Sequence, residues 1–104
     1  MNQFKAISIF AVLLLIISAC GEETSVVESG TYTGTIEKVE ADEVEIYVRL
    51  ESGELLELYF TDNTTLTKDD ETVPFSTIQA DDRVEVTVEK TGKRLDPVSV
   101  KLLD

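Results

Sequence analysis

The clearest pattern in this sequence is an alternation of apolar and polar residues that begins near residue 31. A period of two is typical of β-strands with one buried face. The pattern predicts five strands, over residues 31–39, 43–51, 54–61, 83–90 and 95–103. In the first of them Val39 is out of phase with Ile36. We therefore expect a β-bulge near Lys38, which would return the apolar side chains to one face.

The turn between the second and third predicted strands decides which side chains face each other. A three-residue loop, Glu51-Ser52-Gly53, puts glycine where a positive φ is needed. A two-residue turn would mix the apolar and polar faces, so we expect the longer loop. On the apolar face it pairs Val44 with Phe60, Ile46 with Leu58, and Val48 with Leu56. On the polar face it pairs Tyr47 with Glu57 and Glu45 with Tyr59.

Residues 62–82 are less regular. We expect a short strand around Leu66 within residues 64–67, a loop over residues 68–72, and a single helical turn within residues 73–80 with Ser76 as its N-cap. The order is then three meandering strands, an irregular crossover and a hairpin. This is the order of a small, five-stranded OB-like β-barrel. An SH3-like barrel is the alternative.

Three segments carry a resemblance to known domains. Gly34-Thr35-Ile36, Val44-Glu45-Ile46 and the stretch at residues 78–86 resemble uncharacterised OB-like domains of bacterial lipoproteins and secreted proteins. This chain has Asp81 where those domains have glycine, and Asp tolerates a left-handed backbone better than most residues. The resemblance covers roughly residues 31–103, and it implies a fold without implying a reaction.

The start of the chain has the form of a bacterial export signal. An uncharged apolar run over residues 6–17 precedes Ile17-Ser18-Ala19-Cys20, which resembles the lipobox of bacterial lipoproteins. The resemblance implies a lipid on the Cys20 sulfur and cleavage after Ala19. As a helix the run would span roughly 18 Å, short of the ~30 Å core of a bilayer. We therefore expect a signal peptide over residues 1–19, a flexible tether over residues 20–30, and a barrel domain over residues 31–104.

The lipid anchor predicts a location in the cell envelope. In a Gram-negative cell, Gly21 after the lipidated cysteine points by resemblance to the outer membrane, whereas in a Gram-positive cell the protein would lie on the outer face of the plasma membrane. Two or more acyl chains would hold it firmly there. The partner implied by the anchor is the membrane itself.

Composition then limits the function. The formal net charge is −12, which opposes binding to nucleic acids. The sequence has no histidine, and its one cysteine is the predicted lipid attachment site, so the usual catalytic triads and dyads are unavailable. We expect a monomer that is not an enzyme and carries no cofactor besides the lipid.

Two sets of residues are candidates for binding. An exposed aromatic patch that contacts a protein or a glycan would comprise Tyr32, Tyr47, Tyr59 and Arg49. Acidic loops are candidates for a hard cation such as Ca²⁺, although none has EF-hand spacing. These loops contain Asp42, Glu43, Asp69, Asp70, Glu71, Asp81 and Asp82. The favoured function is a non-catalytic binding or accessory module of the envelope, and the alternative is a barrel that binds a cation or small ligand.

Overall fold

The computed structural model of the protein describes residues 23–103. The predicted signal peptide, the predicted cleavage site and Cys20, the predicted lipid attachment site, lie outside these residues. Within residues 23–103, no helix is both long enough and apolar enough to cross a membrane. Regular structure in this part of the chain is almost entirely β-strand.

Seven strands form one sheet. In chain order they are β1 (Gly30–Glu40), β2 (Glu45–Leu50), β3 (Leu55–Tyr59), β4 (Thr65–Lys68), β5 (Glu71–Thr72), β6 (Arg83–Thr91) and β7 (Arg94–Leu102). Single turns of 3-10 helix lie at Ala41–Glu43 and Phe75–Thr77. The five long strands match those predicted from the alternation. The two strands beyond these five are β4, which matches the short strand expected around Leu66, and β5, which has two residues and falls in the segment predicted as a loop.

Between β3 and β4 the chain crosses from one end of the sheet to the other. The strand order is β3-β2-β1-β6-β7-β4-β5, so consecutive strands β3 and β4 lie near opposite ends of the sheet. Strand β3 pairs with β2, and β4 pairs with β7 in parallel. The Thr64 hydroxyl fixes the link between them by donating a hydrogen bond to the Pro97 carbonyl at 2.8 Å. The link over residues 60–64 therefore joins the two ends of the sheet.

The inner face of the sheet forms one apolar core. Ile46, Val48, Leu56 and Leu58 are fully buried there, and Ile46 pairs with Leu58 and Val48 with Leu56. These pairs confirm the register that the three-residue loop predicts. The predicted bulge is also confirmed, because the β1–β2 register shifts between Ile36 and Lys38.

Two local predictions are wrong. Val44 does not face the core, because it ends the first 3-10 turn in a left-handed conformation (φ 51°) and is 41% exposed. Only its backbone pairs with Phe60, whose N–H donates to the Val44 carbonyl at 2.9 Å. Ser76 is not an N-cap, since it lies inside the second 3-10 turn, which follows Pro74 without a side-chain cap.

The residues just before β1 contact the barrel. The Ser25 N–H donates to the Leu55 carbonyl at 2.8 Å, and Val27 joins the core with only 9% of its surface exposed. The Lys90 ammonium group pairs with Glu28 at 3.1 Å. Over its described part, the segment expected to be a tether therefore lies against the barrel from Ser25 onward.

Candidate functional site

The outer face of β2 and β3 carries a compact group of tyrosines and glutamates. We define the outer-face cluster as Glu45, Tyr47, Glu57 and Tyr59. Tyr47 lies opposite Glu57 and Glu45 lies opposite Tyr59, as the predicted register requires. Because alternate residues share a face, all four side chains project to the side away from the core.

Strand β1 contributes further residues to this outer face, on the C-terminal side of its bulge. After the bulge Lys38 lies opposite Tyr47, and Glu40 lies opposite Glu45. The Lys38 ammonium group is 5.7 Å from the centre of the Tyr47 ring and forms a 2.8 Å ion pair with Glu40. The cluster therefore has a lysine at one border, although that lysine is paired with another acid.

Both tyrosine hydroxyls donate to the same carboxylate oxygen. The distances to Glu57 Oε2 are 3.3 Å from Tyr47 and 3.1 Å from Tyr59. Burial, and then the negative charges of Glu57 and Glu45, raise the pKa of Tyr47 to about 12. The hydrogen bond to Glu57, followed by burial, raises the pKa of Tyr59 to about 12. Both phenols therefore remain neutral donors at physiological pH.

Glu45 is the unusual member of the cluster. It is the only buried charged residue among residues 23–103, with 3% of its surface exposed. Its Oε2 atom is buried and has no hydrogen-bond partner in the described part of the chain. Burial, and then the contact with Glu57, raise the pKa of Glu45. A buried carboxylate oxygen without a partner is costly, so its presence here requires an explanation.

Glu57 is the electrostatic counterpart of Glu45. Its pKa is lowered, chiefly by the hydrogen bond from the Glu45 carboxyl group and then by those from the two tyrosines, against the opposing effect of burial. The two carboxyl groups therefore divide the roles: Glu45 holds a proton more readily, and Glu57 is more readily ionised. Such a pair attracts either a shared proton or a cation.

A cavity of about 100 Å³ adjoins the exposed side of the cluster. Glu57 and Tyr59 form one wall. The other walls come from the segment before β1 and from the β6–β7 hairpin. Their lining residues are Thr24, Ser25, Val26, Lys93, Arg94 and Leu95. Arg94 is itself paired with Asp96, with 2.9 Å between Nε and Oδ1, and this contact lowers the Asp96 pKa.

The remaining residues of the predicted aromatic patch do not join the cluster. Tyr32 is half-buried, and its hydroxyl donates to the Glu28 carbonyl at 2.7 Å. Arg49 is on the same sheet face but pairs with Glu37, donating from Nε at 2.8 Å. Of the four predicted patch residues, the structure therefore brings together only Tyr47 and Tyr59.

The acidic loops proposed as metal ligands remain separate. Among residues 23–103, no group of three or more His, Cys, Asp or Glu side chains is arranged to hold a metal ion. Asp42 and Glu43 are exposed on the first 3-10 turn, and Asp69, Asp70 and Glu71 are exposed around the β4–β5 turn. Asp82 instead accepts a hydrogen bond from the Gln79 N–H at 2.8 Å, and Asp81 takes the left-handed conformation (φ 78°) that the sequence predicts.

Glu45 and Glu57 were absent from the predicted site residues, although the correct register had already placed each opposite a tyrosine. The signal that could have identified them is the repeated Glu-x-Tyr order, Glu45-x-Tyr47 and Glu57-x-Tyr59, on antiparallel neighbours. Antiparallel pairing of two such tripeptides places both acids and both phenols next to one another on the same face of the sheet.

Comparison with known proteins gives a fold but no family. No protein-family profile and no curated protein sequence matches the chain. Among solved structures, a Cu(II)-bound variant of CusF from Escherichia coli matches with a TM-score of 0.56 and 12% identity, over 74% of this chain and 94% of that one. Ag(I)-bound CusF from the same organism gives the same values. Apo-CusF matches with a TM-score of 0.55 and 12% identity, over 74% of this chain and 89% of that one.

At this identity the similarity concerns the backbone architecture. The shared architecture is a small all-β barrel of the OB-like type, which confirms the fold class predicted from the alternation.

Proposed function

We propose that this protein is a non-catalytic, cation-binding barrel of the bacterial cell envelope. The observation that carries this proposal is the buried Glu45 carboxylate, whose Oε2 atom lacks a partner beside a second carboxylate. A bound cation would supply the missing partner and would also relieve the repulsion between Glu45 and Glu57.

Two further observations support a cation over other small ligands. The chain has a formal net charge of −12, so its surroundings attract cations and repel anions. Barrels of the same architecture have been solved with Cu(II) and with Ag(I) bound, so this kind of small barrel can carry a metal.

The test is a panel of cations added to the mature-length protein with Cys20→Ser, which removes the predicted lipid. We expect a cation that binds to raise the melting temperature, because ligands that bind only the folded state stabilise it. The Glu45→Gln, Glu57→Gln double variant should lose this response. The matched control is the double variant Asp42→Asn, Glu43→Gln, which removes the same charge from an exposed turn and should keep it. The absence of a response to every cation would contradict the proposal.

We also propose that the lipid predicted on Cys20 tethers this barrel to a membrane. The support is the resemblance of Ile17-Ser18-Ala19-Cys20 to a lipobox. Metabolic labelling with a fatty acid should mark the wild-type protein and not the Cys20→Ser variant. Equal labelling of the two would contradict the anchor.

A binding or accessory module for an envelope protein or glycan is the second candidate. Exposed apolar groups on one side of the barrel favour it: Tyr59 is 48% exposed and Val26 is 41% exposed, and both border the same cavity. In-cell cross-linking of the anchored protein, compared with the Cys20→Ser form, would test it. A stoichiometric partner captured only by the anchored form supports this candidate, and the absence of any specific partner contradicts it.

A further inference from the structure

We propose that the cation is a hard, oxygen-preferring metal ion, such as Mn²⁺, Mg²⁺ or Ca²⁺, held between Glu45 and Glu57 with several of its water ligands retained. This inference rests on the cation-binding function proposed above and adds the class of the ion and its hydration. No sequence motif assigns this site, because its two acids come from different strands.

The donor atoms decide the class of metal. Soft ions such as Ag(I) and Cu(I) prefer thiolate, thioether and imidazole ligands. The sequence has no histidine, and residues 23–103 contain no cysteine or methionine. Around Glu45 the described side-chain groups are carboxylates and phenols, which are oxygen donors. The metals bound by the structurally similar CusF proteins therefore do not predict the metal of this barrel.

The number of carboxylates decides how much water the ion keeps. A fully dehydrated Ca²⁺ site uses six to eight oxygen ligands, whereas Mg²⁺ is commonly held by one or two carboxylates and several waters. The outer-face cluster offers two carboxylates, and the neighbouring cavity of about 100 Å³ has room for several water molecules. The geometry therefore fits a partly hydrated ion that is reached from the cavity beside Glu57.

The two tyrosines act as positioning residues for the second carboxylate. Both donate to Glu57 Oε2, which fixes the orientation of that carboxylate and leaves Oε1 without a tyrosine hydrogen bond. Glu45 contributes Oε2, the atom without a partner. Two positive charges beside the site are themselves paired, Lys38 with Glu40 and Arg94 with Asp96, which reduces their repulsion of an incoming ion. Lys93, which also lines the cavity, opposes entry and limits the affinity.

The tyrosines also provide the test, because a tyrosine excited near 280 nm transfers energy to a nearby Tb³⁺ ion, a probe for hard-cation sites. The full chain, solubilised in detergent micelles, is titrated with Tb³⁺ and the sensitised emission is recorded. We expect saturable emission that Mn²⁺, Mg²⁺ or Ca²⁺ displaces and Ag⁺ does not. Glu45→Gln should weaken Tb³⁺ binding at least tenfold, while the matched exposed variant Glu43→Gln should leave it unchanged.

The outcomes separate this inference from the broader proposal. If cations bind, but Glu45→Gln and Glu57→Gln leave the affinity unchanged, the site is wrong and the cation-binding function stands. If Ag⁺ displaces Tb³⁺, or binds more tightly than the hard ions, the ion class is wrong. If no cation of either class binds, both proposals fail. Should Glu45→Gln not fold, the half-buried Glu57→Gln carries the same expectation, with Asp70→Asn as its exposed control.

Discussion

The inner and outer faces of β2 and β3 share one backbone but carry side chains of different chemistry. On the inner face Ile46, Val48, Leu56 and Leu58 are fully buried and pair only with apolar partners. On the outer face the same strands alternate glutamate and tyrosine, and one of those glutamates is nearly as buried as the core. The two faces therefore share a register and differ in whether burial is favourable.

This difference shows how stability and binding are divided in the barrel. The inner face gains free energy by removing apolar surface from water. The outer face loses free energy by burying a carboxyl group of which one oxygen, Glu45 Oε2, lacks a hydrogen-bond partner. A fold stabilised by the first face can tolerate the cost of the second, which leaves the outer face available for a ligand.

The largest effect is expected from truncating the inner face. Leu58→Ala should lower the free energy of unfolding by about 2–5 kcal/mol, because it leaves a cavity among fully buried neighbours. Chemical denaturation monitored by circular dichroism measures the change. The control is Val98→Ala on β7, where the side chain is 40% exposed, and it should cost far less. Equal losses of stability at the two sites would contradict the view that the buried inner face stabilises the fold.

The next effect tests how closely β1 and β2 approach on the inner side. A Cβ atom at Gly34 would collide with the Arg49 carbonyl oxygen and would lie 2.8 Å from Val48 Cγ1. Gly34→Ala should therefore destabilise the protein by about 1–3 kcal/mol through overpacking. A Cβ at Gly92 meets no atom within 4 Å, although its φ of 64° carries its own backbone strain. Gly92→Asn is the milder control, since asparagine tolerates that conformation. Denaturation midpoints compare the two.

A smaller effect of opposite sign is expected on the outer face. Glu45→Gln should stabilise the metal-free protein at neutral pH by about 1 kcal/mol, because glutamine cannot take on the negative charge that burial beside Glu57 disfavours. Burial raises the pKa of Glu45 above its unfolded value of about 4.3. Below that value Glu45 is protonated in both states, so wild type and variant should be equally stable. As pH rises through the elevated pKa, the wild type alone loses stability. A difference that shrinks with rising pH would contradict this assignment.

The smallest effect is spectroscopic. Alkaline titration followed by the absorbance of tyrosinate should show Tyr47 and Tyr59 ionising near pH 12. Glu57→Gln should bring both transitions to lower pH, since it removes the carboxylate that accepts their hydrogen bonds. The unfolded tyrosines ionise near pH 10, so these two residues contribute stability that is lost as pH rises from about 10 to 12. Unchanged transitions in the variant would show that burial alone raises the pKa values of the two tyrosines.

Most of the fold was predictable because it depends on alternation and on turn length. The loop Glu51-Ser52-Gly53 fixed the β2–β3 register, and the phase change at Val39 located the bulge. Val44 was not predictable in the same way, because an apolar residue in phase with a strand is normally part of it. The three-residue helical turn before it ends in a left-handed conformation that the alternation does not encode.

The candidate site was predictable only in part. Register placed Tyr47 beside Glu57 and Tyr59 beside Glu45, but it did not show that Glu45 is buried. That burial depends on how neighbouring strands and their long side chains cover the outer face, which is a property of the closed barrel. The acidic loops were favoured because charge clusters are visible in sequence, whereas two single acids on separate strands are not.

Consecutive strands β3 and β4 pair with different parts of the sheet, and this arrangement affects how the barrel forms. Apart from the two-residue β5, strand β4 pairs with β7, the last strand of the sheet to be synthesised. During translation, the β1–β2–β3 meander can therefore pair locally before the C-terminal hairpin is available to cover its apolar face. Contacts that join distant parts of a chain slow folding, because the loop between them must be closed first. The rate at which this barrel closes should thus depend on the arrival of β7, and a chain shortened within that strand should remain an open sheet.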